Sequence, residues 1–159
     1  MDRSVDMLMS YRRTTLKLLD GLGMDSLNTI PPGFNNNLIW NFAHVVVSQQ
    51  SMCYLNAGLK PIIDESYIVR YRRGTKPSKT VDKSEFETLK ILSETALLQL
   101  DKDLENNLFT GFKPFMTGYG IEIQNIADVL KMLLFHEGLH LGYCMALKRA
   151  QVHRENVSL

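Results

Sequence analysis

Few cysteines and no excess of charge of either sign characterise this sequence of 159 residues. The two cysteines, Cys53 and Cys144, lie far apart in segments with helical patterns, which argues against the disulfide framework of a small secreted protein. The formal net charge is only +1, whereas a broad nucleic-acid-binding surface needs a clear basic excess. We therefore expect no nucleic-acid partner.

Long apolar runs are also missing. No stretch approaches the roughly 20 apolar residues that a transmembrane helix requires. Residues 1–4 lack the apolar core of a secretory signal. We therefore expect a cytoplasmic protein that does not bind a membrane. A chain of this length fits a single domain, 1–159, which needs neither a disulfide nor a structural metal to fold.

Four long segments carry apolar residues at alternating three- and four-residue steps, the pattern of helices with one buried face. The pattern predicts helices at about residues 2–22, 35–56, 84–106 and 125–149. Gly21 and Gly58 are expected to end the first two, because glycine terminates a helix at little cost. Four apolar stripes of this kind predict an all-α fold, a four-helix bundle.

Residues that cap helices support these predicted boundaries. Asn36 or a neighbour is expected to cap the second helix, and Asn125 is expected to cap the fourth. Ser84, followed three residues later by Glu87, predicts a capping box at the start of the third helix. Together these residues indicate where three of the four helices begin.

The connection between the second and third predicted helices is long, at about residues 59–82, and it is interrupted by Pro61 and Pro77. Antiparallel neighbours rarely need such a length, whereas a crossover between parallel helices does. We therefore expect these two helices to run parallel. The irregular stretch at residues 112–123 is expected to include a brief extended piece.

Two histidines, His136 and His140, lie four residues apart in the fourth predicted helix. Residues at this spacing share one helix face and can reach a single metal ion. Both occupy positions on the apolar face where Leu or Ile is expected, and His44 takes a similar position on the second helix. A buried imidazole is costly unless its ring nitrogens are satisfied. The pattern therefore predicts an open three-histidine site for zinc, nickel or a similar divalent ion.

Other interpretations of these residues remain open. The three histidines can instead be core residues bonded to backbone or hydroxyl groups, with His153 exposed in the tail. Residues 136–140 also match the H-E-x-x-H pattern of zinc peptidases, in which Glu137 would be the general base. The alternative for Glu137 is a residue that orients a ligand or pairs with a cation. Because of the H-E-x-x-H pattern, Glu137 is the one candidate for a catalytic side chain.

The neighbours of the predicted site also have two interpretations each. Cys144 lies one turn beyond His140 and is either a metal ligand or, by preference, a small buried hydrophobe. The basic stretch at residues 70–79 either gates the site and attracts an anionic substrate or forms a solvated loop. Trp40 and Tyr143 are interpreted as core residues.

Three motifs give the chain a resemblance to a known family. They are Leu38–His44 (LIWNFAH), Arg73–Pro77 (RGTKP), and Phe135–Tyr143 (FHEGLHLGY) with Leu147–Arg149 (LKR). The chain resembles the DinB-like superfamily over nearly its whole length. The resemblance implies a left-handed four-helix bundle with up-down-down-up topology and a divalent metal ion held by His44, His136 and His140. It also implies a homodimer.

The resemblance implies less about activity. Some relatives are thiol-dependent transferases or isomerases that use a low-molecular-weight thiol such as bacillithiol or mycothiol, and others were named for induction by DNA damage. Our main hypothesis is a metal-dependent enzyme, a hydrolase or a thiol S-transferase. The alternative is a non-enzymatic metal-binding or stress-related interaction module that acts as a dimer. A third possibility is a structural bundle that binds no metal.

Overall fold

The computed structural model describes residues 2–157, with side chains described up to residue 151. Helices dominate this part of the chain, which confirms the all-α prediction. The α-helices are α1 (Arg3–Leu19), α2 (Met24–Asn28), α3 (Leu38–Cys53), α4 (Glu65–Tyr71), α5 (Lys83–Glu105) and α6 (Ile126–Val157). The long helices α1 and α3 each pack against both α5 and α6. No helix within residues 2–157 is long and apolar enough to cross a bilayer.

Two short helices, α2 and α4, were not predicted. The five residues of α2 and the seven of α4 complete too few turns for an apolar period to be recognised. Each is instead anchored by a buried residue, Leu27 in α2 and Tyr71 in α4. The long connection between α3 and α5 is therefore partly helical. The helix α6 also extends beyond the predicted end at residue 149, and the side chain of His153 lies outside the described residues.

The capping residues agree with the sequence at two of three helices. Asn37, a neighbour of Asn36, caps α3 by accepting from the backbone N–H of Trp40. Asn125 accepts from the backbone N–H of Asp128 at the start of α6. The prediction of a capping box at Ser84 is wrong. Its hydroxyl donates to Asp82, whose carboxylate caps α5 instead, because a charged acceptor at this position competes well for the free backbone N–H groups.

A small hairpin precedes α6 and confirms the predicted extended piece. The strands β1 (Phe115–Met116) and β2 (Glu122–Ile123) are antiparallel, and Phe115 lies opposite Ile123. Gly120 has a φ of +75° in the turn between them, a value that glycine adopts without strain. The hairpin places residues 115–119 beside the space between α3 and α6.

Most of the buried apolar residues form two clusters. Cluster A includes Leu19, Phe42, Leu89 and Leu147. Cluster B includes Leu8, Cys53, Leu97 and Leu133. Each long helix contributes to both clusters, and α1 and α6 pass from cluster B to cluster A, whereas α3 and α5 pass from A to B. Between the two clusters, the buried polar residues Arg12, Ser93 and Glu137 form a polar layer.

Arg12 is the central residue of this polar layer. Its side chain is only 1% exposed, and its Nε donates to Glu137 Oε1 on α6 at 2.8 Å. Its Nη1 donates to the carbonyl oxygen of Ser93 on α5 at 2.7 Å, and its Nη2 donates to that of Val45 on α3 at 3.5 Å. One side chain from α1 therefore bonds to each of the other three long helices.

We predict that Arg12→Met lowers the free energy of unfolding by about 3–5 kcal/mol, because it leaves the Glu137 carboxylate buried without a cation. The neighbouring Arg13 is a matched control, since its pair with Glu94 is 3.5 Å long and both side chains are more than half exposed. Arg13→Met should cost about 0–1 kcal/mol. Urea unfolding followed by circular dichroism measures both. Equal effects of the two substitutions would contradict the prediction, and Arg12→Met combined with Glu137→Met should recover most of the loss.

Candidate metal centre

The three histidines predicted as a site lie together. His44 comes from α3, and His136 and His140 come from successive turns of α6. The ring centroids are 5.1 Å apart for His44 and His136, 4.8 Å for His44 and His140, and 4.6 Å for His136 and His140. One ligand atom from each residue lies within 4.8 Å of the other two, so the cluster could hold a metal ion.

The rings of His44 and His140 are oriented by hydrogen bonds. His44 Nδ1 donates to the carbonyl oxygen of Tyr71 at 2.6 Å. His140 Nδ1 donates to Asn41 Oδ1 at 2.8 Å, and the Asn41 amide nitrogen in turn donates to the carbonyl oxygen of Asn37, which keeps Oδ1 turned toward the histidine. A proton on Nδ1 leaves Nε2 as the acceptor nitrogen in both rings. Metal-binding histidines in proteins commonly donate one ring N–H to a second residue in this way, while the other ring nitrogen binds the metal.

The third histidine leaves a buried nitrogen unsatisfied. His136 Nδ1 has no hydrogen-bond partner among the described residues. Buried polar atoms without a partner are uncommon in folded proteins, and a bound ion is one way of satisfying them. Two imidazoles that present Nε2 and a third with an unpaired nitrogen therefore fit a divalent metal ion, whose common ligand is a neutral imidazole.

Burial keeps the three imidazoles uncharged at neutral pH. It lowers the pKa of His44, although the hydrogen bond to Tyr71 opposes the shift. It lowers the pKa of His136 to about 4, with further contributions from His44 and Arg12. The pKa of His140 falls to about 3 through burial and the two neighbouring histidines. Each neutral ring keeps one unprotonated nitrogen, so the cluster can coordinate a cation without first losing protons. In His44 this nitrogen, Nε2, accepts from the hydroxyl of Ser48 at 3.3 Å, so a metal ion would take the place of that hydrogen bond.

Trp40 fixes the position of His44 from the other side. Its indole stacks on the imidazole with ring centroids 4.7 Å apart and planes 10° from parallel. The indole Nε1 donates to the hydroxyl of Thr75 at 3.2 Å. Trp40 is 5% exposed and belongs to cluster A, so the prediction that it is a core residue is confirmed. It also ties the connection after α4 to the histidine cluster.

A cleft of about 570 Å³ opens above the histidines. Its size is within the usual range for small-molecule sites. Its wall includes the hydroxyl residues Ser48, Ser51 and Thr117. It also includes the apolar side chains of Val47, Met52, Phe115, Met116 and Met132, the aromatic Tyr119, the glycine Gly118, and the basic residues Arg72 and Arg73. The histidine nitrogens are therefore reachable by a small molecule, as an open site requires.

Of the other candidates from the sequence, Arg72 and Arg73 of the basic stretch line this cleft, whereas Glu137 and Cys144 lie outside its lining. Glu137 is 2% exposed and bonded to Arg12, which fits the interpretation that it pairs with a cation, and its role as general base stays a prediction. Cys144 packs in cluster A, and burial raises the pKa of its thiol to about 12. A protonated, buried thiol matches the buried-hydrophobe interpretation of Cys144.

Sequence reasoning missed three contributors to the site. Asn41 orients His140, and the only local signal was its place three residues before His44 on the same helix. Tyr71 orients His44 through its backbone carbonyl, a contact that does not depend on the type of side chain. Arg12 bonds to Glu137 across 125 positions of sequence, so no local pattern could have paired them.

A known protein family matches the part of the chain that forms most of this architecture. The sequence matches the family described as the DinB superfamily over residues 8–144, a range that includes His44, His136 and His140. No curated protein matches the chain. Because the family match spans well over half of the sequence and includes all three histidines of the cluster, the chain belongs to the DinB superfamily.

Proposed function

We propose that the protein is a metal-dependent enzyme in which His44, His136 and His140 hold one zinc or nickel ion. The observation that carries the proposal is the convergence of three neutral imidazoles, two of them oriented through Nδ1, at the base of a cleft of about 570 Å³. A cleft over the histidines favours an enzyme over the alternative of an interaction module. Homodimer formation stays a prediction.

The reaction class that we favour is the transfer of a low-molecular-weight thiol to a second substrate. A divalent ion held by His44, His136 and His140 would lower the pKa of a thiol or water in the cleft and so would supply a nucleophile at neutral pH. The residues of the chain hold and shield the site: Asn41 and the Tyr71 carbonyl fix two imidazoles, and Trp40 covers one face of His44. A metal-dependent hydrolase would use the same residues with water in place of the thiol.

We also infer the up-down-down-up topology that the family resemblance implies. The support is the order in which each long helix meets the two apolar clusters. Helices α1 and α6 pass from cluster B to cluster A, and α3 and α5 pass in the opposite sense. In this topology the connection that contains α4 is the crossover between two parallel helices.

Metal binding should be visible through Trp40, which is the only tryptophan of the chain and stacks on His44. We predict that untagged protein holds about one zinc or nickel ion per chain, because the three histidines form one metal site. We also predict that bound nickel quenches the tryptophan fluorescence. Elemental analysis and a fluorescence titration measure these. His44→Ala and His140→Ala should abolish both signals, whereas His153→Ala is the matched control. Full metal content in the His140→Ala protein would contradict the proposed site.

Asn41 offers a test of the orientation of His140. Asn41→Ala should weaken metal binding about 10–100-fold, because the imidazole loses the acceptor that fixes its Nδ1–H. Asn41→Asp restores an acceptor oxygen and should recover most of the affinity. Competition with a chelator measures the three affinities, and Asn106→Ala, which removes an amide at the end of α5 that does not line the cleft, should leave the affinity unchanged. Equal affinities of wild type and Asn41→Ala would show that the hydrogen bond does not support the site.

The thiol-transferase assignment has its own assay. Metal-loaded protein is incubated with an electrophile and either a glutathione-type or a bacillithiol-type thiol, and conjugate formation is followed. We expect conjugation that depends on the metal and is lost in His140→Ala. Activity that persists unchanged in His140→Ala would refute the assignment, because the three-histidine site would then play no part in the reaction.

A further inference from the structure

The basic residues after α4 divide into two groups according to their partners. Arg70 and Lys79 both form ion pairs with Glu85 on α5, the latter at 3.1 Å. Arg72 and Arg73 form no ion pair with any side chain described within residues 2–151, and they line the cleft above the histidines. The first group neutralises a carboxylate of the fold. The second group leaves two permanent positive charges at the cleft.

The backbone holds Arg72 and Arg73 next to the histidine cluster. They follow Tyr71 directly, whose carbonyl oxygen accepts from His44. The carbonyl oxygen of Arg72 accepts from the hydroxyl of Thr75, to which the indole of Trp40 also donates. The turn that carries the two arginines is therefore anchored to α3 at two points.

The turn of the hairpin leaves space for the side chain of Arg73. A methyl group built on Gly118 would overlap the guanidinium of Arg73, so the glycine leaves the room that this guanidinium occupies. Arg73 therefore lies between the turn after α4 and the hairpin before α6, beside the cleft. Any side chain at position 118 would force the guanidinium to move.

The charged side chains that line the cleft are all positive. None of the described residues that line it is acidic, so the charges of Arg72 and Arg73 are not balanced there. A guanidinium recognises a planar carboxylate or a phosphate through charge-assisted hydrogen bonds. The thioethers of Met52 and Met132 and the ring of Phe115 line other parts of the wall, so an apolar portion of a ligand would also be accommodated.

We propose that the ligand of this cleft is a small molecule with a carboxylate or phosphate group, which binds Arg72 and Arg73 while its other end reaches the three histidines. This inference rests on the proposed function, because it names the substrate class of the same site. Within that function, the substrate is an anionic thiol. Arg73 is then a specificity-determining residue that selects the anion.

Isothermal titration calorimetry of the zinc-loaded, full-length protein tests the proposal with four probes at constant ionic strength. 3-Mercaptopropionate carries a thiol and a carboxylate, 2-mercaptoethanol carries the thiol alone, and propionate and inorganic phosphate carry the anion alone. We expect 3-mercaptopropionate to bind about 10-fold more tightly than 2-mercaptoethanol, the effect of one charge-assisted interaction. The stronger of propionate and phosphate identifies the anionic group.

Three variants locate the effect. Arg73→Gln should remove most of the preference for 3-mercaptopropionate and leave only the part that Arg72 contributes, and Gly118→Ala should weaken the preference by displacing the Arg73 guanidinium. Lys76→Gln removes a positive charge from the same connection but outside the lining of the cleft, so it should keep the full preference. Circular dichroism and the zinc content of each variant verify that the fold and the metal site are intact.

The outcomes separate this inference from the proposed function. Equal binding of the two thiols by the wild type overturns the anion site and leaves the metal–thiol proposal standing. Binding of propionate or phosphate that depends on Arg73, without binding of either thiol, supports the anion site and refutes the thiol. A preference that Arg73→Gln and Lys76→Gln reduce equally reflects general charge and overturns the proposal. Failure of all four probes to bind overturns both.

Discussion

The buried ion pair between Arg12 and Glu137 is the interaction on which the rest of the structure depends. Arg12 bonds to α3, α5 and α6 from its position on α1, so the mutual arrangement of the long helices converges on one guanidinium. Because Glu137 directly follows His136, the pair also fixes the rotation of α6 about its axis. With Glu137 turned toward Arg12, His136 and His140 are turned toward α3 and His44. A polar contact between two apolar clusters thus sets the direction in which the histidines point.

The orientation of the site also comes from parts of the chain far from α6. Asn41 on α3 holds His140, while the last residue of α4 holds His44 through its backbone carbonyl. The connection between α3 and α5 is therefore part of the site in two respects, because it orients an imidazole and carries Arg72 and Arg73 to the cleft. The segment that joins α3 to α5 thus also brings polar and charged groups to the cleft.

How much the sequence could predict depended on the range of each interaction. The four long helices and the histidines at positions 44, 136 and 140 were predictable, because both rest on apolar periodicity that repeats over several turns. The short helices α2 and α4 were not, since they are stabilised by burial of Leu27 and Tyr71 against distant residues. Asn41 was visible only as a polar residue on a helix, and nothing local indicated that its partner would be His140, 99 positions away.

The motif His-Glu-Gly-Leu-His at residues 136–140 also shows that a local pattern does not reveal a distant partner. In a zinc peptidase the glutamate of this pattern acts as general base beside the metal. Here the carboxylate of Glu137 is buried and accepts from Arg12, while the cleft beside the histidines is lined by hydroxyl, apolar and guanidinium groups. In this chain the carboxylate of the same five-residue pattern therefore pairs with a cation on another helix. Under the proposed function, the positive charge at the cleft suits a substrate that brings its own nucleophile, as a thiol does.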